Sequence, residues 1–250
     1  MPKSLIRSTG CWAPPSVIDN DELVASYNAW AERFNRENAD AIAAGDMEEA
    51  PLSSSEFIKN ASGIERRHVY EKDGILDIDR MVPHMPPRPV EDVSTHAEYA
   101  LKSVNQALDK AGYTGADIDG VIVASSAQQR NFPAVATEIQ DQIGCTGWSF
   151  DLTMACASAL YGLHIANGMI ASGQARRILI SSPEIMTCIN VHWRRDVHFI
   201  FGDTSAAIIV EADDGRPGGW EVLGTHCQNK WSNALRSDFG FLNAAERKDQ

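Results

Sequence analysis

Phe150-Asp151-Leu152-Thr153-Met154-Ala155-Cys156-Ala157-Ser158-Ala159 joins a strand to a helix through a run of small residues. Upstream, Trp148 to Leu152 has the composition of a short strand. Downstream, Leu160, Leu163, Ala166 and Ile170 keep helical spacing as far as Gly173. A thiol at such a turn has two readings. The helix dipole and free backbone N–H groups would favour its thiolate and could hold the oxyanion formed when a thioester carbonyl is attacked. Alternatively, Cys156 is a small buried hydrophobe.

Working outward, the same alternation continues. Ala97, Ala100, Leu101, Val104, Leu108 and Ala111 predict a helix from Ser94 to a stop at Gly112. Val121 to Ala124 is a continuous apolar run of the kind found in strands buried on both faces. A helix is predicted from Pro133 through Val135, Ile139 and Ile143 to Gly144, and Arg177 to Ser181 reads as another buried strand. Alternating strands and helices predict an α/β fold with a mixed, mostly parallel sheet covered by helices. Ala206 to Glu211 and Trp220 to Thr225, joined by Asp213-Asp214-Gly215-Arg216-Pro217-Gly218-Gly219, read as a closing hairpin. Near the start, Ile6 to Gly10 reads as a strand, and Asn20 or Asp21 as the cap of a helix beginning near Glu22. The polar stretch Asn35 to Ser55 reads as a surface insertion.

Composition narrows the function classes. A 250-residue chain with 44% apolar residues can bury a core. Its formal charge of -12 argues against a broad grip on nucleic acid or anionic lipid. The longest apolar runs are far too short to span a bilayer, and no secretory segment opens the chain, which points to the cytoplasm. Five widely spaced cysteines, Cys11, Cys145, Cys156, Cys188 and Cys227, indicate neither a disulfide framework nor a metal site.

Four segments, in order, resemble the 3-oxoacyl-acyl-carrier-protein (ACP) synthase III family: Ser8 to Pro14, Ser62-Gly63-Ile64-Glu65-Arg66-Arg67-His68, Asp151 to Ala159, and Phe201-Gly202-Asp203. Within that family the pattern is similar to the medium-chain, 3-oxodecanoyl-forming subgroup. The resemblance implies the first half of a duplicated five-layer αβαβα thiolase-like fold, with Cys156 as nucleophile. It implies fatty-acid synthesis in two steps: an acyl group passes from acyl-CoA to Cys156, then malonyl-ACP loses carbon dioxide and attacks the acyl-cysteine. CoA and ACP enter as substrate carriers, and no cofactor is implied.

Further positions carry over residue by residue. Arg195 matches a residue that packs on the CoA adenine; read alone, it is also a solvated arginine in Arg194-Arg195-Asp196. Phe57 stands where the family usually has a Trp on the opposite side of that adenine, and Ala61 where it usually has an Arg for the CoA phosphates. The loss at Ala61 leaves acyl-ACP open as donor. Phe132 matches a phenylalanine that crosses a homodimer interface to the partner's acyl pocket; its bland reading is a loop aromatic packed beside Pro133. Met154 would wall the site, or simply pack. Asp203 reads as a turn residue tying backbone, and His192 and His198 stay outside the catalytic set.

The family performs decarboxylation with a His opening a His-Gln-Ala-Asn segment and a further Asn, both in the second half of the fold. None of the seven histidines stands in such a segment. The expectation is therefore an N-terminal half, residues 1–250, whose C-terminal half lies beyond Gln250 and without which condensation is not completed. Two alternatives stay open: a related quinolone, polyketide or hydroxymethylglutaryl-type synthase, and a non-catalytic acyl-binding partner subunit.

Overall fold

The alternation expected between residues 94 and 181 is present in the computed structural model, which describes residues 2–233. Strand β1 (Ser4–Trp12) is followed by β2 (Val17–Asp19), helices α1 (Asn20–Glu37), α2 (Ala39–Ala44) and α3 (Ser55–Ser62), strand β3 (Arg66–His68) and the short α4 (Asp73–Leu76). Then come α5 (Thr95–Ala111), β4 (Gly120–Ala124), α6 (Val135–Ile143), β5 (Trp148–Leu152), α7 (Ser158–Ala171), β6 (Arg177–Ile185), β7 (Asp203–Ala212) and β8 (Trp220–Glu221).

Six strands form one sheet in the order β5-β4-β6-β7-β1-β8. β4 is parallel to both β5 and β6, β7 is antiparallel to β6 and β1, and β8 is antiparallel to β1. β1, β4, β5 and β6 thus point the same way, giving a mixed, mostly parallel sheet. Side chains alternate across it as the period of a strand requires. Val121, Val123, Leu179 and Ile209 pack with α5 and α6 on one face. Ile122, Ala124, Ile178, Ile180 and Val210 pack with Ala166 and Ile170 of α7 on the other.

The closing hairpin is not formed. β8 pairs with β1, Leu5 opposite Glu221 and Ile6 opposite Trp220. β7 already has β6 on one edge and β1 on the other, so the open edge belongs to β1. Pro183 hid the true length of β6, because proline removes a ladder donor. Pairing with β4 stops at Ser181, however, so that edge of β6 is open at Pro183 and the missing N–H costs no ladder bond there.

Helix ends show where local signals hold. α5 has the expected caps, Ser94 accepting from Ala97 N at 3.3 Å and Gly112 at φ 68°. α1 is capped by Asp19, not Asn20 or Asp21, in a reciprocal box with Glu22. α6 begins at Val135, not Pro133. Its first N–H groups, Val135 N and Ala136 N, donate to the Asp151 carboxylate of β5 at 2.9 and 2.8 Å, a cap supplied across space.

Most of residues 35–55 lie at the surface, and α2 buries no residue, but Ser53 is buried. They are nevertheless anchored, since Ala50 N donates to Asn35 Oδ1 and Ser53 N to Asn28 Oδ1, both at 2.8 Å. The β2–β3 pair escaped the sequence reading because three-residue strands carry no periodic signal. It helps to build a second small core of Ile18, Leu23, Ile58, Val69, Ile75 and Phe199. Among the described residues, no helix is long and apolar enough to cross a membrane.

Candidate active site

Parallel neighbours end on the same side, so the C-terminal ends of β4, β5 and β6 share one edge of the sheet. The chain leaves β5 there and turns sharply into α7. Ala155 sits at φ +46°, a left-handed conformation that costs an L-residue roughly 1–2 kcal/mol and is cheapest for a small side chain. Cys156 follows it and is exposed. The buried-hydrophobe reading of Cys156 therefore falls.

Ser158 braces this elbow. Its hydroxyl accepts from Met154 N at 2.8 Å and lies 2.7 Å from Ala155 O and 3.1 Å from Ser125 O at the end of β4. One side chain thus ties the residues before Cys156 to the neighbouring strand. Ser125, Ser158 and the capping Asp151 were missed in the sequence; the available signal was polar residues inside an otherwise small and apolar stretch. One expectation is corrected. α7 starts two residues beyond Cys156, and Ala157 N and Ser158 N are engaged with Met154 O and Ala155 O, both at 3.1 Å. These two N–H groups already have acceptors and are not free for an oxyanion.

The other cysteines have different surroundings. Cys145 is buried and donates to Ile118 O at 3.1 Å. Cys188 lies 2.9 Å from Met85 Sδ, and burial pushes its thiol up to about 12. Cys227 is half-buried, and Cys11 is exposed but sits on β1. Only Cys156 combines exposure with the strand-to-helix elbow.

Arg195 and Phe57 are brought together, but on each other. The guanidinium carbon stands 3.7 Å from the Phe57 ring centroid, and Arg195 Nε donates to Leu52 O at 2.7 Å. The solvated-arginine reading falls. A flat base between the two would need about two carbon–carbon contact distances, roughly 7 Å, so the pair as it stands is closed. Ala61 is exposed and offers no charge. Met154 is half-buried beside Cys156. Phe132 is 83% exposed beside Pro133. A cleft of about 1010 Å³ lined by Met85, Arg88, His96, Arg130, Glu138 and Cys188 opens elsewhere, and neither Cys156 nor Met154 lines it.

Asp203 ties backbone as expected, though as the first residue of β7 and not within a turn. It accepts from Thr187 N at 2.9 Å, Thr187 Oγ1 at 2.6 Å and Tyr70 N at 2.6 Å. His192 and His198 are buried in the small core's polar flank. His198 packs 4.6 Å from Tyr27, and its Nε2 lies 3.3 Å from Ser53 Oγ.

Burial pushes His96, His192 and His198 down to about 4, with Arg130 opposing the charged form of the first and Arg67 of the other two. Their unfolded value is 6.5, so the unfolded chain binds these protons more readily. The stability contributed by the neutral rings is complete above pH 6.5 and is lost as pH falls towards 4. Urea unfolding is expected to show a loss on the order of 2 kcal/mol per ring between pH 7.5 and pH 5. His198→Phe should flatten that slope by one ring's share; an unchanged slope would remove His198 from the account.

The family described as 3-oxoacyl-[acyl-carrier-protein (ACP)] synthase III matches residues 150–230, which contain the whole elbow. A β-ketodecanoyl-[acyl-carrier-protein] synthase of Pseudomonas aeruginosa is 44% identical over 224 residues, 88% of this chain and 64% of that protein. A β-ketoacyl-[acyl-carrier-protein] synthase III of Dinoroseobacter shibae is 37% identical over 217 residues, 86% of this chain and 53% of that one. The chain thus spans between half and two thirds of the length of these relatives. The crystal structure of 3-oxoacyl-[acyl-carrier-protein] synthase III from Aquifex aeolicus superposes with a TM-score of 0.63 at 22% identity, over 84% of this chain and 54% of that one. Thiolase-like fold, braced cysteine elbow and sequence kinship converge: the chain is similar to the 3-oxoacyl-[acyl-carrier-protein] synthase III family over residues 150–230 and, at 44% identity, to a β-ketodecanoyl-[acyl-carrier-protein] synthase over 88% of its own length.

Proposed function

We propose that this protein is an acyl-condensing transferase of fatty-acid synthesis and that Cys156 carries the acyl group. The observation that carries the reading is an exposed thiol on a braced strand-to-helix elbow, inside the segment that matches the family. The thiolate attacks the carbonyl of an acyl thioester, and the carrier thiol leaves as the acyl-cysteine forms. Malonyl-ACP then loses carbon dioxide, its carbanion equivalent attacks the acyl-cysteine carbonyl, and the Cys156 thiolate departs, giving 3-oxoacyl-ACP. We assign the first step to this chain, read as the N-terminal, nucleophile-bearing half; no residue of it is assigned to decarboxylation.

The name of the Pseudomonas relative sets the chain length to be tried. A 3-oxodecanoyl product, less the two carbons that malonyl contributes, leaves an octanoyl primer. Either CoA or ACP would deliver it. Adenine could enter between Arg195 and Phe57 only if that stack opens, and Ala61 supplies no phosphate contact. Phe132, projecting from its loop, suits a homodimer in which each copy borders the other's acyl pocket. The cytoplasm, where such carriers are used, is the proposed location.

Acyl transfer from octanoyl-CoA and from octanoyl-ACP, followed separately as release of each carrier thiol, tests the function. Transfer from at least one donor is expected. If the stack does not open, the ACP route is the faster. Inertness towards both donors would overturn the acyl-transfer reading.

A further inference from the structure

Glu184 of β6 has no part in the chemistry described above, yet it lies at the same edge of the sheet. Its Oε1 accepts from Ser126 N at 2.7 Å, while Oε2 is buried without a partner. Burial pushes its carboxyl up, against the pull of Ser126 and Ser125. A buried oxygen left unpaired costs on the order of 1–3 kcal/mol, which a packing residue of the same size would not. The carboxyl therefore needs a reason to be there.

Its partners supply one. Ser126 follows Ser125, whose N donates to Leu152 O at 3.2 Å, adding one hydrogen bond beyond the β4–β5 ladder. Ser125 O in turn is 3.1 Å from the hydroxyl of Ser158, which holds Met154 N and Ala155 O on the approach to Cys156. Strand β4 ends at Ala124, and past it Ser125 is buried with its hydroxyl on Ala127 O at 3.1 Å, while Ser126 N is held by the Glu184 carboxyl. β6 itself is fixed by a full antiparallel register with β7 that extends past Glu184, opposite Thr204. A rigid strand thus reaches across to the segment on which the elbow rests.

We propose that Glu184 is a positioning residue for Cys156, anchoring the Ser125–Ser126 segment to β6 so that Ser158 holds the strained Ala155 turn in register. The inference rests on Cys156 being the nucleophile of the proposed function. Glutamine keeps an oxygen for Ser126 N, whereas leucine keeps the volume and removes the acceptor.

The test is iodoacetamide labelling of wild type, Glu184→Leu and Glu184→Gln, with Cys11 as the exposed reference in the same molecule and buried Cys145 reporting the fold. In wild type, Cys156 is expected to label faster than Cys11. Alkylation by a free reagent reads the thiolate fraction and access of the thiol, which the elbow sets just before α7. Glu184→Leu is therefore expected to slow Cys156 severalfold relative to Cys11, with Cys145 still protected, and Glu184→Gln to restore the wild-type ratio. An unchanged ratio in Glu184→Leu, or a Gln variant as slow as the Leu variant, overturns the positioning role and leaves the nucleophile reading intact. A wild-type Cys156 no faster than Cys11 overturns both. If Glu184→Leu exposes Cys145, Glu184→Met, of similar length and without the acceptor, decides by the same ratio.

Discussion

Cys156→Ser is expected to lose carrier-thiol release from an octanoyl thioester by about a thousandfold or more, while its thermal midpoint stays at the wild-type value. The two halves of this prediction have separate causes. A serine hydroxyl is scarcely ionised at neutral pH, and no neighbour within the elbow replaces the lost thiolate: Ser158 is committed to Met154, Ala155 and Ser125. Stability is spared because Cys156 is exposed and takes no part in a core cluster. A single-turnover assay and a melt on the same preparation read both halves. Serine with most of the wild-type rate would show that the acyl group is carried elsewhere.

The second large effect concerns the scaffold. Gly10 lies where α5 crosses β1, and a Cβ there would stand 1.8 Å from Ser103 O and 3.0 Å from Ala107 N. Both are backbone atoms of a helix that also receives Ser8 Oγ on Ala107 O at 2.7 Å, so neither can yield without moving α5 off the sheet. Gly10→Ala is expected to cost about 3 kcal/mol and to lower Tm by roughly 6–12 °C. Gly168 provides the contrast. It is a helical glycine with nothing within 4 Å of its Cβ position, and Gly168→Ala should be neutral or stabilise by up to about 1 kcal/mol. Equal melting of the two variants would contradict the close crossing of α5 and β1.

What could be read from the residues depended on whether the deciding signal was local. α5 was legible because its apolar period and both caps lie within Ser94 to Gly112. The start of α6 was not, because its cap is Asp151, which comes from the next strand. Residues Trp220 to Glu221 could be recognised as extended, but their partner depends on which sheet edge is open, a property of the assembled sheet. At the site, the small residues flanking Cys156 marked the turn, while Ser125 and Glu184 are joined to it only by the parallel order of β4, β5 and β6. The resemblance sets Arg195 and Phe57 on opposite sides of an adenine, whereas in the structure they stack on each other, a contact no local signal announces.

Peptide mapping of the protein after incubation with octanoyl-CoA or octanoyl-ACP decides whether Cys156 carries the acyl group. One octanoyl group, labile to hydroxylamine as a thioester, is expected on the peptide containing Cys156 and absent from those containing Cys11, Cys145, Cys188 and Cys227. An octanoyl group on any of those four, or a Cys156 peptide that stays unmodified while thiol is released, would contradict that role.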